Sequence, residues 1–179
     1  HETGGPEVLK VENIELPDPG PGEVRVRHKA IGVNFVDTYL RRGLYPASLP
    51  SGVGMEASGV IEAVGEGVEG VHVDQRVAYV SGPIGAYCEA RNVQASLTLK
   101  VPDWITDEQA AATLLKGMTV QMLIKSVYPL KNGDIVLYHA AAGGVGLIFC
   151  QWAASLGVTV IGTVGSEEKA ELATYYSLQ

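Results

Sequence analysis

The sequence is poor in several things that would each have named a class of protein. It holds two cysteines, Cys88 and Cys150, too few for a disulfide framework or a four-cysteine zinc lobe. Cys150 falls on an apolar helical pattern, so a reducing cytoplasm is the expected compartment. The four histidines, His1, His28, His72 and His139, show no metal-ligand spacing. No apolar run reaches the roughly 18 residues that a membrane span requires. The longest, Val145 to Leu156, is broken by Gln151. No leader pattern is visible at His1, where the missing Met suggests a trimmed start. Cations are scarce too. Lys and Arg number 13 against 20 Asp and Glu, giving a net charge of −7 and a pI near 5.0. That balance disfavours the basic footprint of generic nucleic-acid binding.

What remains is a globular composition, 46% hydrophobic and 18% charged, in 179 residues. That length suits one good domain or parts of two. The first half reads as β structure. Val24, Val26 and Ala30 alternate with Arg25, Arg27 and Lys29, the period of a strand with one wet face. Further strand-like segments lie at Gly59–Val64, Arg76–Val80 and Tyr87–Arg91, with a short helical pattern at Asn34–Arg42. Several short strands with glycine turns predict a small barrel-like or sandwich-like β domain. After Pro102-Asp103 the texture changes. Thr106-x-x-Gln109 is a capping-box spacing before a helical run Glu108–Leu115, and a second run, Thr119–Val127, ends at Pro129. A turn at Lys131–Asp134 leads to a strand, Ile135–Tyr138, then a glycine loop and a helix from about Val145 to Gly157. A second strand, Val158–Thr163, and a helix opened by Ser166-Glu167-Glu168 complete a βαβ unit.

The loop between the first strand and its helix reads AAAGGVG. A backbone cradles a pyrophosphate only where no Cβ stands between its N–H groups and the phosphate oxygens. Ala141-x-Gly143-x-x-Gly146 fills the three positions of a dinucleotide fingerprint: tight turn, close approach, and helix-on-strand packing. The bland alternative is a tight strand-to-helix connection that binds nothing. The order strand, loop, helix, strand favours the nucleotide. The tip of the second strand, Val160 to Ser166, carries no acid to hold a ribose 2′-hydroxyl. With Ser166 and Lys169 just beyond, that absence favours NADP over NAD. Against this, Ser166 could be only a helix cap and Lys169 only a solvated neighbour of the glutamates; Glu167 and Glu168 themselves count against a 2′-phosphate, though first-turn acids are also ordinary helix-capping chemistry.

The segment GDIVLYHAAAGGVGLIFCQWA resembles the signature of the zinc-free quinone oxidoreductases of the medium-chain dehydrogenase/reductase superfamily, the group that includes ζ-crystallin. The stretches GGPEVL, AIGVNFVDTYLRRGLYP, SGVGMEASGVIEAVGEGV and LLKGMTVQMLI match the same group in order. Ala154 departs from the signature, at a helix-exterior position that the family usually fills with Lys, Arg or Ser. The resemblance implies a fold of class α/β plus β: a GroES-like β domain over residues 1–117 and the start of a Rossmann domain over 118–173, with NADPH in the cleft between them. It implies reduction of quinones, a homodimer in the full-length family, and no zinc. The position that zinc-dependent relatives fill with His is here Met55. Residue by residue, it places Asn34, Phe35, Val36, Asp37, Tyr39 and Tyr45 at the cofactor and active site, with Asn34 and Tyr45 orienting substrate or nicotinamide. Thr119 and Met122 would line the cleft. Gly143, Gly144, Val145 and Gly146 would take the pyrophosphate, and Gly165, Ser166, Glu167, Glu168 and Lys169 the adenosine end. Without the family, Asn34, Asp37 and Tyr45 read as a helix cap, a solvated face and a loop aromatic.

The family's chains are roughly twice as long, and the tail Thr174–Gln179 reads as a piece of a later segment. The expectation is a shortened or partly observed chain with residues missing near Ala173. Two rival functions stand beside the quinone reductase. One is an enone or alkenal reductase of the same superfamily; the other is a non-enzymatic crystallin or RNA-binding role, against which the acidic pI argues.

Overall fold

The computed structural model describes residues 1–177, so Leu178 and Gln179 of the tail lie outside the described residues. The chain divides into two compact units, His1–Leu114 and Leu115 onward.

The first unit is built on a five-stranded antiparallel sheet. Its strands are β1 (Glu23–Gly32), β2 (Glu56–Val64), β3 (Arg76–Val80), β4 (Ala90–Gln94) and β5 (Thr98–Lys100), in the order β4-β1-β2-β3-β5. The alternation read in β1 is real: Val24 and Val26 are fully buried and join Ala57, Ile61, Val77, Tyr79, Ala86 and Val93 in the core. Two register shifts against β2 bend β1 beyond Arg25 and again before Ala30. The short helix α1 (Phe35–Arg41) follows β1 directly. The strand expected at Tyr87–Arg91 begins at Ala90 instead. Gly85, at φ 127°, turns the chain, and the Cys88 N–H donates locally to Ala86 O (2.8 Å) rather than to a ladder. The polar three-residue β5 had no readable period.

Helix α2 (Asp107–Met122) carries the capping box in full: Thr106 N–H donates to Gln109 Oε1 (3.0 Å) and Gln109 N–H to Thr106 Oγ1 (3.2 Å). The sequence suggested two helices parted at Lys116-Gly117-Met118. Gly117 is tolerated inside one continuous helix, at about 1 kcal/mol in propensity, and the separation falls later. There a π-helical turn, Leu123–Val127, closes with Tyr128 N–H on Leu123 O (3.0 Å).

The second unit is the βαβ unit. Strands β6 (Ile135–His139) and β7 (Thr159–Thr163) pair in parallel, with Ile135 opposite Thr159 and His139 opposite Thr163. Between them lies α3 (Gly144–Ser155), and α4 (Glu167–Ser177) follows β7. Val120, Ile124, Phe149, Ala153 and Val158 form the core, and Phe149 stacks on Tyr138 at 4.3 Å. Gly157, at φ 75°, stops α3 in the left-handed conformation that suits a C-terminal glycine. Ala154 is half-buried rather than outside. Residues Thr174–Ser177, read as a foreign tail, continue α4 without interruption. The architecture is a GroES-like β domain joined to a partial Rossmann domain. Among the described residues no helix is long and apolar enough to cross a membrane.

Candidate functional site

In the first unit the functional residues cluster where β1 runs into α1. Asn34 is buried, and its Nδ2–H donates to the fully buried carboxylate of Glu56 (2.8 Å). Asp37 is buried as well, which corrects its reading as a solvated face. Its Oδ2 accepts from the Asn34 backbone N–H (2.9 Å) and from the Tyr87 hydroxyl (3.0 Å). Its Oδ1 is buried with no hydrogen-bond partner among the described residues. Burial, and then the hydrogen bond to and charge of Asp37, push the Tyr87 phenol up to about 12. Tyr87 was not singled out in the sequence because its partner lies fifty positions away.

Outside this buried knot stands an aromatic ladder. Phe35 packs edge-on against Tyr39 at 5.2 Å, and Tyr39 against Tyr45 at 5.4 Å. Gly43, at φ 75°, makes the turn that brings Tyr45 back over α1, and both the Leu44 and Tyr45 N–H groups donate to Tyr39 O. Phe35 and Tyr45 are exposed, while Val36 and Tyr39 are half-buried. The structure thus holds Asn34 and Asp37 in one polar cluster and Phe35, Tyr39 and Tyr45 in one aromatic row. Burial pushes the Cys88 and Cys150 thiols up, so neither is poised as a nucleophile. Among the described residues no group of three or more His, Cys, Asp or Glu side chains could hold a metal ion.

In the second unit the glycine loop sits between β6 and α3. Gly143 is the N-cap and Gly144 the first helical residue, both exposed. The helix start leaves its first-turn N–H groups, those of Gly144, Val145 and Gly146, without an intrahelical acceptor. The three fingerprint positions differ in why they are small. A Cβ on Gly146 would stand 2.5 Å from the carbonyl oxygens of both Ala140 and Ala141, so this glycine is where helix meets loop. A Cβ on Gly143 would lie 3.1 Å from Ala140 O, a tight but lesser contact. A Cβ on Gly144 would meet a side chain, Lys116, at 2.9 Å from Cε and 3.0 Å from Cδ. Neither Gly143 nor Gly144 has positive φ. The left-handed residue of the loop is Ala140, at φ 57°.

The loop is braced on β7. Ala141 N–H donates to Thr163 O (3.1 Å), His139 Nδ1 meets Thr163 Oγ1 (2.9 Å), and a Cβ on Gly162 would lie 2.7 Å from that of Ala141. Gly162, unremarked in the sequence, is bare for this reason. Beyond β7, Gly165 is open, with nothing within 4 Å of an added Cβ. Ser166 caps α4, its Oγ accepting from Lys169 N–H (3.3 Å), and Glu167 and Glu168 occupy the first turn. Gly165 through Lys169 are all exposed, as is Met122; Thr119 is half-buried and donates to Leu115 O (2.8 Å). An exposed, side-chain-free loop at a helix N-terminus, with no acid at the tip of β7, fits the diphosphate of an NADP-type dinucleotide.

Known proteins resemble this chain along nearly its whole length. Residues 20–103 match the family model described as an alcohol dehydrogenase GroES-like domain. The chain is 56% identical over 171 residues to a quinone oxidoreductase of Pseudomonas aeruginosa, covering 95% of this chain and 53% of that one. It is 48% identical to a 2-haloacrylate reductase of a Burkholderia species, covering 97% and 54%. Its fold superposes with a TM-score of 0.96 on Escherichia coli quinone oxidoreductase complexed with NADPH, at 48% identity, covering 98% of this chain and 54% of that one.

Proposed function

This chain belongs to the zinc-free quinone oxidoreductases of the medium-chain dehydrogenase/reductase superfamily, and from that premise we propose that it serves the NADPH-dependent reduction of quinones. The chain spans about half the length of the relatives it matches. The observation that carries the reading is the glycine loop: bare and exposed at Gly143 and Gly144, close-packed at Gly146, and set on the N-terminus of α3.

Gly143, Gly144, Val145 and Gly146 would hold the diphosphate. Gly165, Ser166, Glu167, Glu168 and Lys169 would frame the adenosine end, and Thr119 and Met122 would line the nicotinamide side. NADPH, when bound, supplies the hydride. The protein's part is then positioning, since hydride delivery to a quinone requires alignment more than acid–base help. Asn34, its amide turned by Glu56, and Tyr45 are the orienting groups. The row of Phe35, Tyr39 and Tyr45 offers ring faces to a planar acceptor, with Val36 and Asp37 holding the row in place. A second reading is favoured by the 2-haloacrylate reductase relative: an activated alkene conjugated to a carbonyl presents an electrophilic carbon to the same hydride.

The test is NADPH fluorescence titration followed by stopped-flow oxidation of bound NADPH against a panel of quinones and enones. Oxidation by quinones supports the first reading and oxidation by enones alone the second. Absence of NADPH binding by the folded chain refutes both.

A further inference from the structure

The contact between Lys116 and Gly144 has a consequence for the ligand of the loop. Lys116 lies on α2 and is half-buried. Both carbons that approach Gly144, Cδ and Cε, belong to the charged end of its side chain. The ammonium is one further bond, about 1.5 Å, from a carbon 2.9 Å from where the Gly144 Cβ would stand. A lysine stem thus runs beside Gly144 through space that any other residue at position 144 would fill. We propose that Lys116 is a binding residue for the diphosphate of the dinucleotide, adding a full positive charge to the partial one at the α3 N-terminus. On this view Gly144 is bare for two partners at once: the phosphate on its backbone and the lysine on its open side.

The inference rests on the nucleotide reading above, and it separates two cations by what they touch. Lys169, beyond β7, stands with the adenosine end and its 2′-phosphate. Lys116, at the loop, stands with the diphosphate that NADPH and NADH share. Replacing Lys116 should therefore weaken both dinucleotides alike.

The experiment titrates the intact chain with NADPH, NADH, ADP-ribose and 2′-AMP by calorimetry, for wild type, Lys116→Met and Lys116→Arg. Lys116→Met keeps most of the stem and removes the charge. It is expected to weaken NADPH, NADH and ADP-ribose by about ten- to a hundredfold and to leave 2′-AMP, which has no diphosphate, within about twofold. Lys116→Arg should restore most of the affinity. Unfolding midpoints are read on the same samples, and Lys116→Gln replaces the Met variant if that one does not fold. If ADP-ribose affinity is unchanged by loss of the charge, or if 2′-AMP weakens as much as ADP-ribose, the proposal is overturned. If wild type binds none of the four ligands, the nucleotide reading itself has failed.

Discussion

A glycine-to-alanine series through the second unit separates packing from binding position by position. Gly146→Ala forces a methyl group to within 2.5 Å of two backbone carbonyl oxygens, those of Ala140 and Ala141. Neither oxygen is the end of a flexible side chain, so α3 must move off the loop. Overpacking of this kind costs about 1–3 kcal/mol, offset by up to about 1 kcal/mol of helix propensity. With the full offset the net expectation is a destabilisation of up to about 2 kcal/mol. Gly165→Ala is the control. Nothing lies within 4 Å of its added methyl and its φ is not left-handed, so a smaller unfolded-state entropy should stabilise it by about 0.4–1 kcal/mol. Gly143→Ala, 3.1 Å from Ala140 O, should fall between. The assay is urea unfolding followed at Trp152, whose ring packs against the core of the second unit, in a Trp104→Phe background that silences the exposed indole of the first unit. NADPH titration of the same variants gives the other axis: Gly143→Ala should lose binding out of proportion to stability. If Gly165→Ala proves as damaging as Gly146→Ala, the contacts assigned to the loop are wrong.

Three further outcomes follow from other groups. Ala140→Gly should stabilise the second unit by about 1 kcal/mol, because it relieves a left-handed non-glycine residue at φ 57°; thermal unfolding checks it, and a loss would mean that the loop is not strained there. Burial pushes the Tyr79 phenol up to about 12 from 10.0, so the native state keeps a proton that the unfolded chain releases first. The associated stability is fully present below pH 10 and should be lost between pH 10 and 12, on the order of 2–3 kcal/mol; Tyr79→Phe should flatten that alkaline limb. Lys169→Ala should weaken NADPH by about ten- to a hundredfold and spare NADH, whereas Ser166→Ala, which removes the α4 cap, should cost about 1 kcal/mol of stability. Equal weakening of both cofactors by Lys169→Ala would assign that lysine a structural role.

What the sequence could show was local. The capping box at Thr106 and Gln109, the strand period of β1, the apolar run of β6 and the loop glycines are each written within a few consecutive residues, and each appears in the structure. What it could not show depends on residues that meet only after folding. Without the family motif Asp37 read as a solvated face, because its partners lie off α1: the Asn34 backbone N–H and the Tyr87 hydroxyl both donate to it. Gly144 looked like a phosphate position alone because nothing in the loop announces Lys116. Gly162 had no reading at all, since its constraint is the Ala141 methyl across the strand-to-loop junction. The division of α2 failed differently: a glycine inside a helix is a weak stop, and propensity yields when the turns on either side are continuous.

The strands of the βαβ unit reveal a further gap between letters and burial. Ile135–Tyr138 is an unbroken apolar run, and Val158–Ile161 is broken only by the β-branched Thr159, close to the pattern of parallel strands covered on both faces. In the structure Val136, Tyr138 and Val160 pack into the core with Phe149. Ile135, Leu137 and Ile161, on alternate positions, are 71, 59 and 54% exposed. The parallel register sets Leu137 beside Ile161, so these side chains form a stripe rather than scattered exposures. Covering such side chains is worth about 1.5–3 kcal/mol each when complete, and the described residues do not supply that cover. The parallel pairing was legible in the order strand, glycine loop, helix, strand, and among the described residues only one face of each strand is covered. An alternating reading of the same runs, guided by observed burial alone, would have predicted a half-wet antiparallel strand and missed the Rossmann topology.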